Sequence, residues 1–126
     1  MRVAIVDGPL PVARPSGAPD GAGARLVFDG VVRRVEGSRD IESLAYEAYE
    51  PMASRMLERL ALQVVARHAL LGLVVHHSRG VVPVGEVSLR VVIDAPHRAQ
   101  ALAGMAEFID LLKRDVPIWK KPVWAK

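Results

Sequence analysis

Apolar positions along this chain follow two periods. RVAIVD (Arg2 to Asp7) alternates weakly and predicts a first strand. ARLVFDGVVRRV (Ala24 to Val35) is β-branched and apolar and predicts a second, with Gly30 marking a bulge or a close backbone approach. RRVEGSRD reads as a charged, exposed loop. IESLAYEAY (Ile41 to Tyr49) alternates apolar with polar, which predicts a half-buried strand paired with the one before it.

The period then lengthens. Met52, Met56, Leu60 and Val64, with Leu57, Ala61 and Val65, recur at three- and four-residue spacing. This predicts an amphipathic helix with Pro51 in its first turn and Gly72 as the glycine just past its end. LVVHHSRGVVPVGEVSLRVVIDAP predicts two strands around a turn near VPVGE. A second helix starts at Pro96 or His97 and runs to about Lys113, with Leu102, Met105, Ile109 and Leu112 on one face. Pro117 stops it, and IWKKPVW reads as a short extended segment. The order β-β-β-α-β-β-α-β gives an α+β fold, a mainly antiparallel sheet with two main helices.

The chain has 126 residues, the size of one domain, read here as 1–126 with a flexible Pro/Gly-rich loop over 9–23. Cysteine is absent, which excludes disulfides, thiolate metal sites and a cysteine nucleophile. No apolar run reaches the length of a signal peptide or a membrane span, so a cytoplasmic protein is the default. The net charge of +3 permits an anionic ligand, but there is no basic stripe with interleaved aromatics to suggest nucleic acid.

Candidate chemistry lies in cations at element ends. Arg33 ends a strand, His97 and Arg98 open the second helix, Lys113 closes it, and Lys120 and Lys121 follow. Such a set suits phosphate or carboxylate. Each residue also has a plain alternative, as a helix cap or a solvated strand end. Trp119 beside the lysine pair argues for an anchored segment. His76 and His77 are adjacent on a strand, point to opposite faces and do not readily share a metal; no metal and no cofactor is read from the chain.

GARLVFDGVVR, LAYEAYEPMA, VGEVSLRVVIDAPHRAQAL and IDLLKRDVPIWKK, in that order and spacing, resemble the large, catalytic subunit of molybdopterin synthase from about Gly23 to Lys121. The resemblance implies an α/β-hammerhead-like fold and a homodimer at the centre of a heterotetramer. It also implies a small ubiquitin-like sulfur-carrier partner with a C-terminal Gly-Gly thiocarboxylate, and cyclic pyranopterin monophosphate as substrate. By the same resemblance Lys113 and Lys120 are catalytic, and Arg33, His97, Arg98 and Lys121 bind substrate. Phe28 packs. A partly buried lysine among other cations would serve as general acid or base. Trp119 would anchor the segment, with Lys120 and Lys121 facing the substrate.

The chain departs from the family in three places. HHSRG puts Ser78 where the family has arginine, RRVEGSRD is about one residue shorter, and KKPVWAK has Pro122 where glutamate is usual. Two other readings stay open: a non-catalytic paralogue that keeps the fold and partner surface, and a binding module for phosphorylated metabolites or RNA.

Overall fold

The computed structural model describes residues 1–13 and 16–126, so positions 14–15 of the 9–23 loop lie outside the described residues. Nine elements follow one another: β1 (Arg2–Asp7), β2 (Ala24–Val31), β3 (Val35–Glu36), β4 (Arg39–Ala48), α1 (Met52–His68), β5 (Gly72–Pro83), β6 (Val87–Ala95), α2 (Arg98–Asp115) and β7 (Ile118–Trp124). The strands form a sheet in the order β2-β6-β5-β4-β3, with β1 added to β5 and β7 added to β4. Among the described residues only the β1–β5 pair is parallel. The α+β, mainly antiparallel architecture with two helices is the one expected.

β5 joins the two halves of the sheet. Gly72 to His77 pair with β6, and Gly80 to Pro83 pair with β4. Both helices cover one face of the β2-β6-β5 half. Leu57, Leu60 and Val64 from α1 meet Met105, Phe108 and Leu112 from α2 over Leu73, Val75, Val91 and Ile93 of the sheet. Burying these side chains is the main stabilising term, worth about 1.5–3 kcal/mol for each large one. A smaller cluster of Val32, Ile41, Leu44 and Val82 lies under β4.

Several expectations need correction. β4 does not pair with β2. It takes β5, β7 and the short β3, while β2 pairs with β6. The pairing brings opposite charges together: Arg25 faces Asp94, and Asp29 faces Arg90. The RRVEGSRD stretch is a tight hairpin, with Val35 opposite Asp40 and a turn through Gly37 at φ +65°. The bulge expected at Gly30 is present, as a register shift between Gly30 and Val31.

The predicted helix faces are buried at Leu57, Leu60, Ala61, Val64, Met105 and Leu112 and depart only near the helix starts. Met52 and Leu102 are exposed, while Ala53 and Ala101 are buried. Small residues at the contact let the elements approach closely: a Cβ on Gly104 would stand 3.1 Å from Leu70 Cδ1. α1 ends not at Gly72 but at Ala69, which takes the left-handed conformation (φ 51°, ψ 47°), and Pro51 caps rather than begins it. α2 stops where Val116 turns extended, ahead of Pro117.

Candidate functional site

In the regular part of the β4–β7 ladder Lys120 lies opposite Tyr46, and Lys121 opposite Ala45. Residues directly opposite share a face and successive residues alternate, so the ladder sends the two lysines to opposite faces of the strand pair. Lys120 shares the face of the smaller core. The Tyr46 hydroxyl is 3.0 Å from Ser88 Oγ, and the Tyr46 ring meets His77 edge-on, centroids 5.3 Å apart. A groove of about 450 Å³ runs along this pair, lined by Ala45, Tyr46, Glu47, Trp119, Lys120 and Lys121.

Trp119 is not the buried anchor that was expected. It is 58% exposed, opposite Glu47. Val116 and Ile118, packed on the main core, hold the segment instead. The reason is register: placing Ile118 inward sends its neighbour Trp119 outward.

Arg33 sits at a corner fixed by backbone on both sides. The Val32 N–H donates to Glu86 O at 3.0 Å, and the Arg34 carbonyl accepts from the Ile41 N–H at 2.8 Å. Its side chain is exposed. Glu36 of the adjoining hairpin reaches to 4.0 Å from Lys120 Nζ, a loose, solvated pair worth little. Arg33 and Lys120 therefore flank the same hairpin.

Lys113 lies in the last turn of α2, exposed. Asp115 is occupied by Arg114 through bonds of 2.9 and 3.0 Å, and Lys113 makes no ion pair among the described residues. Only Val116 and Pro117 separate α2 from β7, which sets Lys113 and Lys120 on either side of one turn. Both are exposed here, and the partial burial expected of them is not supplied by this chain.

His97 and Arg98 lie at the opposite end of α2. His97 is the N-cap, extended at φ −137°, ψ 156°, and Gln100 Oε1 accepts its N–H at 3.2 Å. Gln100 Nε2 donates to the carbonyl of His68 at the end of α1, which fixes this corner. Fifteen helical steps from Arg98 to Lys113 span about 22 Å. In one chain Lys113 and Lys120 lie by the α2–β7 turn, with Lys121 on the other face of β7, Arg33 at the corner before the hairpin whose Glu36 reaches Lys120, and His97 with Arg98 at the helix start.

Tyr46 was passed over in the sequence, and His77 was weighed there as a metal ligand. Tyr46 looked like one more half-buried strand residue, and its place opposite Lys120 depends on a pairing no local pattern encodes. Burial raises the Tyr46 phenol and keeps it protonated. Burial also lowers the His77 imidazole, whose Nδ1 lies 2.7 Å from the Ser78 carbonyl and donates to it. Among the described residues no three His, Asp or Glu side chains converge in a metal-binding group, and no helix is long and apolar enough to cross a membrane.

The sequence model of one protein family, described as MoaE protein, matches residues 8–115. A molybdopterin synthase catalytic subunit from Nostoc sp. (strain PCC 7120) is 42% identical over 103 residues, covering 81% of this chain and 62% of that one. Another, from Aspergillus niger, is 40% identical, covering 82% and 57%. The chain thus spans about three fifths of the length of these relatives. Among solved structures, molybdopterin synthase from Staphylococcus aureus superposes with a TM-score of 0.85 at 29% identity, covering 97% of this chain and 90% of that one. A complex of subunits 1 and 2 of molybdopterin-converting factor from Helicobacter pylori superposes at 0.74 and 26% identity, covering 98% and 90%.

Proposed function

The chain belongs to the MoaE protein family, and from that membership we propose that it is the catalytic subunit of a molybdopterin synthase, a sulfurtransferase of molybdenum cofactor biosynthesis. It would act in the cytoplasm as one domain, as the homodimeric centre of a heterotetramer. Its substrate would be cyclic pyranopterin monophosphate, and its partner a small ubiquitin-like protein ending in a Gly-Gly thiocarboxylate. The names of the Nostoc and Aspergillus relatives and the two-subunit Helicobacter complex support this reading.

The observation that carries it is the cationic rim around the α2–β7 turn. Lys113 in the last turn of α2 and Lys120 in β7 stand on either side of the two-residue connection, Arg33 precedes the hairpin whose Glu36 reaches Lys120, and Lys113 makes no ion pair among the described residues. A thiocarboxylate tail and a phosphate are both anions, and ammonium and guanidinium groups hold such charges through charge-assisted hydrogen bonds. Lys113 receives the tail. The thiocarboxylate sulfur attacks an oxygen-bearing carbon of the pterin side chain, so that a carbon–sulfur bond forms as a carbon–oxygen bond breaks and the oxygen leaves with a proton. Water then cleaves the acyl–sulfur bond, leaving sulfur on the pterin and a carboxylate on the partner. A second round completes the dithiolene. Lys120 and Arg33 neutralise the substrate; Lys121, sent to the other face, contributes at the groove rim.

His97 and Arg98 lie too far along α2 to reach the same ligand within one chain. In a homodimer they would complete the partner protomer's site, supplying its phosphate contact at a helix N-terminus. Lys113→Ala tests the assignment. It removes little packing, so the fold should survive, and sulfur transfer from a thiocarboxylated small subunit should fall at least ~100-fold, on the scale of losing one oriented charge. Turnover within a few-fold of wild type would overturn the role of Lys113.

A further inference from the structure

The face of the sheet turned away from the helices carries a second cavity that the sulfur-transfer reading does not use. Three rows of side chains cross it from β2 through β6 and β5 toward β1. In the middle row Val27, Val92 and Val74 lie side by side and Arg2 ends the line. On one side Arg25 is paired with Asp94 at 2.6 Å. On the other, Asp29 is paired with the buried Arg90 at 2.7 Å, and His76 follows in the same row. An apolar stripe about 10 Å long, from two inter-strand spacings, with Arg2 one spacing further on, is thus framed by two ion-paired rows.

Among the described residues after β1, Leu10, Pro11, Ser16 and Gly17 form a strap fastened over this face. The Leu10 N–H donates to Val87 O at 2.9 Å, Arg90 Nη1 donates to the Pro11 carbonyl at 2.5 Å, and Arg25 donates to the carbonyls of Ser16 and Gly17. Between the strap and the stripe is a cavity of about 940 Å³, with Val6, Leu10 and Val12 among its apolar walls. That is at the upper end of the volumes of small-molecule sites, and far above the voids that close-packed interiors retain.

The charges around it do not balance. Asp94 is matched by Arg25, Arg90 by Asp29, and Asp7 by Arg79 at 2.6 Å. Arg2 makes no ion pair among the described residues, and it stands beside His76, whose imidazole is lowered by burial and by the charges of Arg2 and Arg90. The β1 end of the stripe therefore has positive charge that no acid among the described residues pairs with.

We propose that this cavity binds an organic anion, with an apolar body of about 10 Å lying on the valine stripe and a carboxylate or phosphate ester at Arg2. The site is separate from the α2–β7 rim, and its existence does not depend on the reaction proposed for that rim.

The test uses 8-anilinonaphthalene-1-sulfonate as the anionic probe and the neutral N-phenyl-1-naphthylamine as its control, on the full chain. Saturable fluorescence enhancement by both is expected, with amide shifts in NMR confined to β1, β5, β6 and the strap. Arg2→Gln, a substitution near the chain start that removes no core contact, should weaken the anion about tenfold and leave the neutral probe unchanged. Val92→Trp, which fills the space, should abolish both. Octanoate and octyl phosphate then compete for the site, and the stronger competitor identifies the headgroup. The proposal is overturned by absence of saturable binding, by equal anion affinity in Arg2→Gln, or by shifts that map to the α2–β7 rim instead.

Discussion

Ser78 is fully buried, and its hydroxyl has no hydrogen-bond partner among the described residues. An unsatisfied buried hydroxyl costs about 1–3 kcal/mol, so Ser78→Ala is expected to stabilise the fold by about 1 kcal/mol, seen as a rise of ~3–5 °C in Tm. A fall in Tm would show that the hydroxyl has a partner. Its neighbours His76 and His77 titrate in a predictable direction. Burial lowers both imidazoles below their ordinary value of 6.5, His77 being the deeper. In the window between the lowered folded values and 6.5 the unfolded chain binds protons that the folded chain does not, so stability falls as pH falls through that window. His77→Phe, which keeps an aromatic ring against Tyr46, should flatten this dependence in urea titrations at pH 5 to 7; an unchanged slope would contradict the burial of His77. The sequence showed Ser78 in place of the family's arginine. It did not show that the position is sealed, because β5 becomes interior only when β1 and β6 flank it.

At the scale of elements, β2 and β6 carry a shared code. Arg25-Val27-Asp29 and Arg90-Val92-Asp94 have the same spacing, and antiparallel pairing sets arginine against aspartate at both ends with valine between. Arg25→Asp should destabilise by about 2–4 kcal/mol by placing two carboxylates together, and adding Asp94→Arg should recover most of that. Equal stability of the single and double variants in denaturant melts would show that charge does not set the register. Gly23 closes the same corner: its N–H donates to Ala95 O at 3.0 Å, and a Cβ there would lie 2.3 Å from the Pro96 carbonyl oxygen. Gly23→Ala therefore has to displace backbone, with an expected loss of about 1–3 kcal/mol. Both helices were legible because a 3.6-residue period persists over many turns. The pairing of β4 was not, since half-buried alternation says that a strand has a partner without saying which. The arginine–valine–aspartate match was the available signal, and it lay in two strands far apart in sequence.

Across the whole molecule, the length of α2 decides how the candidate site is assembled. Lys113 at one end and His97 with Arg98 at the other are about 22 Å apart along the axis, and the chain does not fold back to join them. The motifs that identified these residues lie close together in the sequence, which hid the separation; only the helix between them reveals it. If protomers share sites, Lys113→Ala and Arg98→Ala chains, each inactive alone, should recover activity when refolded together. Half of a random dimer mixture would then hold one intact site in two, for about a quarter of wild-type turnover. A mixture as inactive as its components would confine each site to one chain. The central claim is tested most directly by reconstitution. The wild-type protein, a thiocarboxylated small subunit and cyclic pyranopterin monophosphate are combined, and molybdopterin is measured as its fluorescent oxidation product. Product accumulating with thiocarboxylate consumed is the predicted result. A stable complex with the small subunit that yields no product would contradict the assignment of catalysis to this chain.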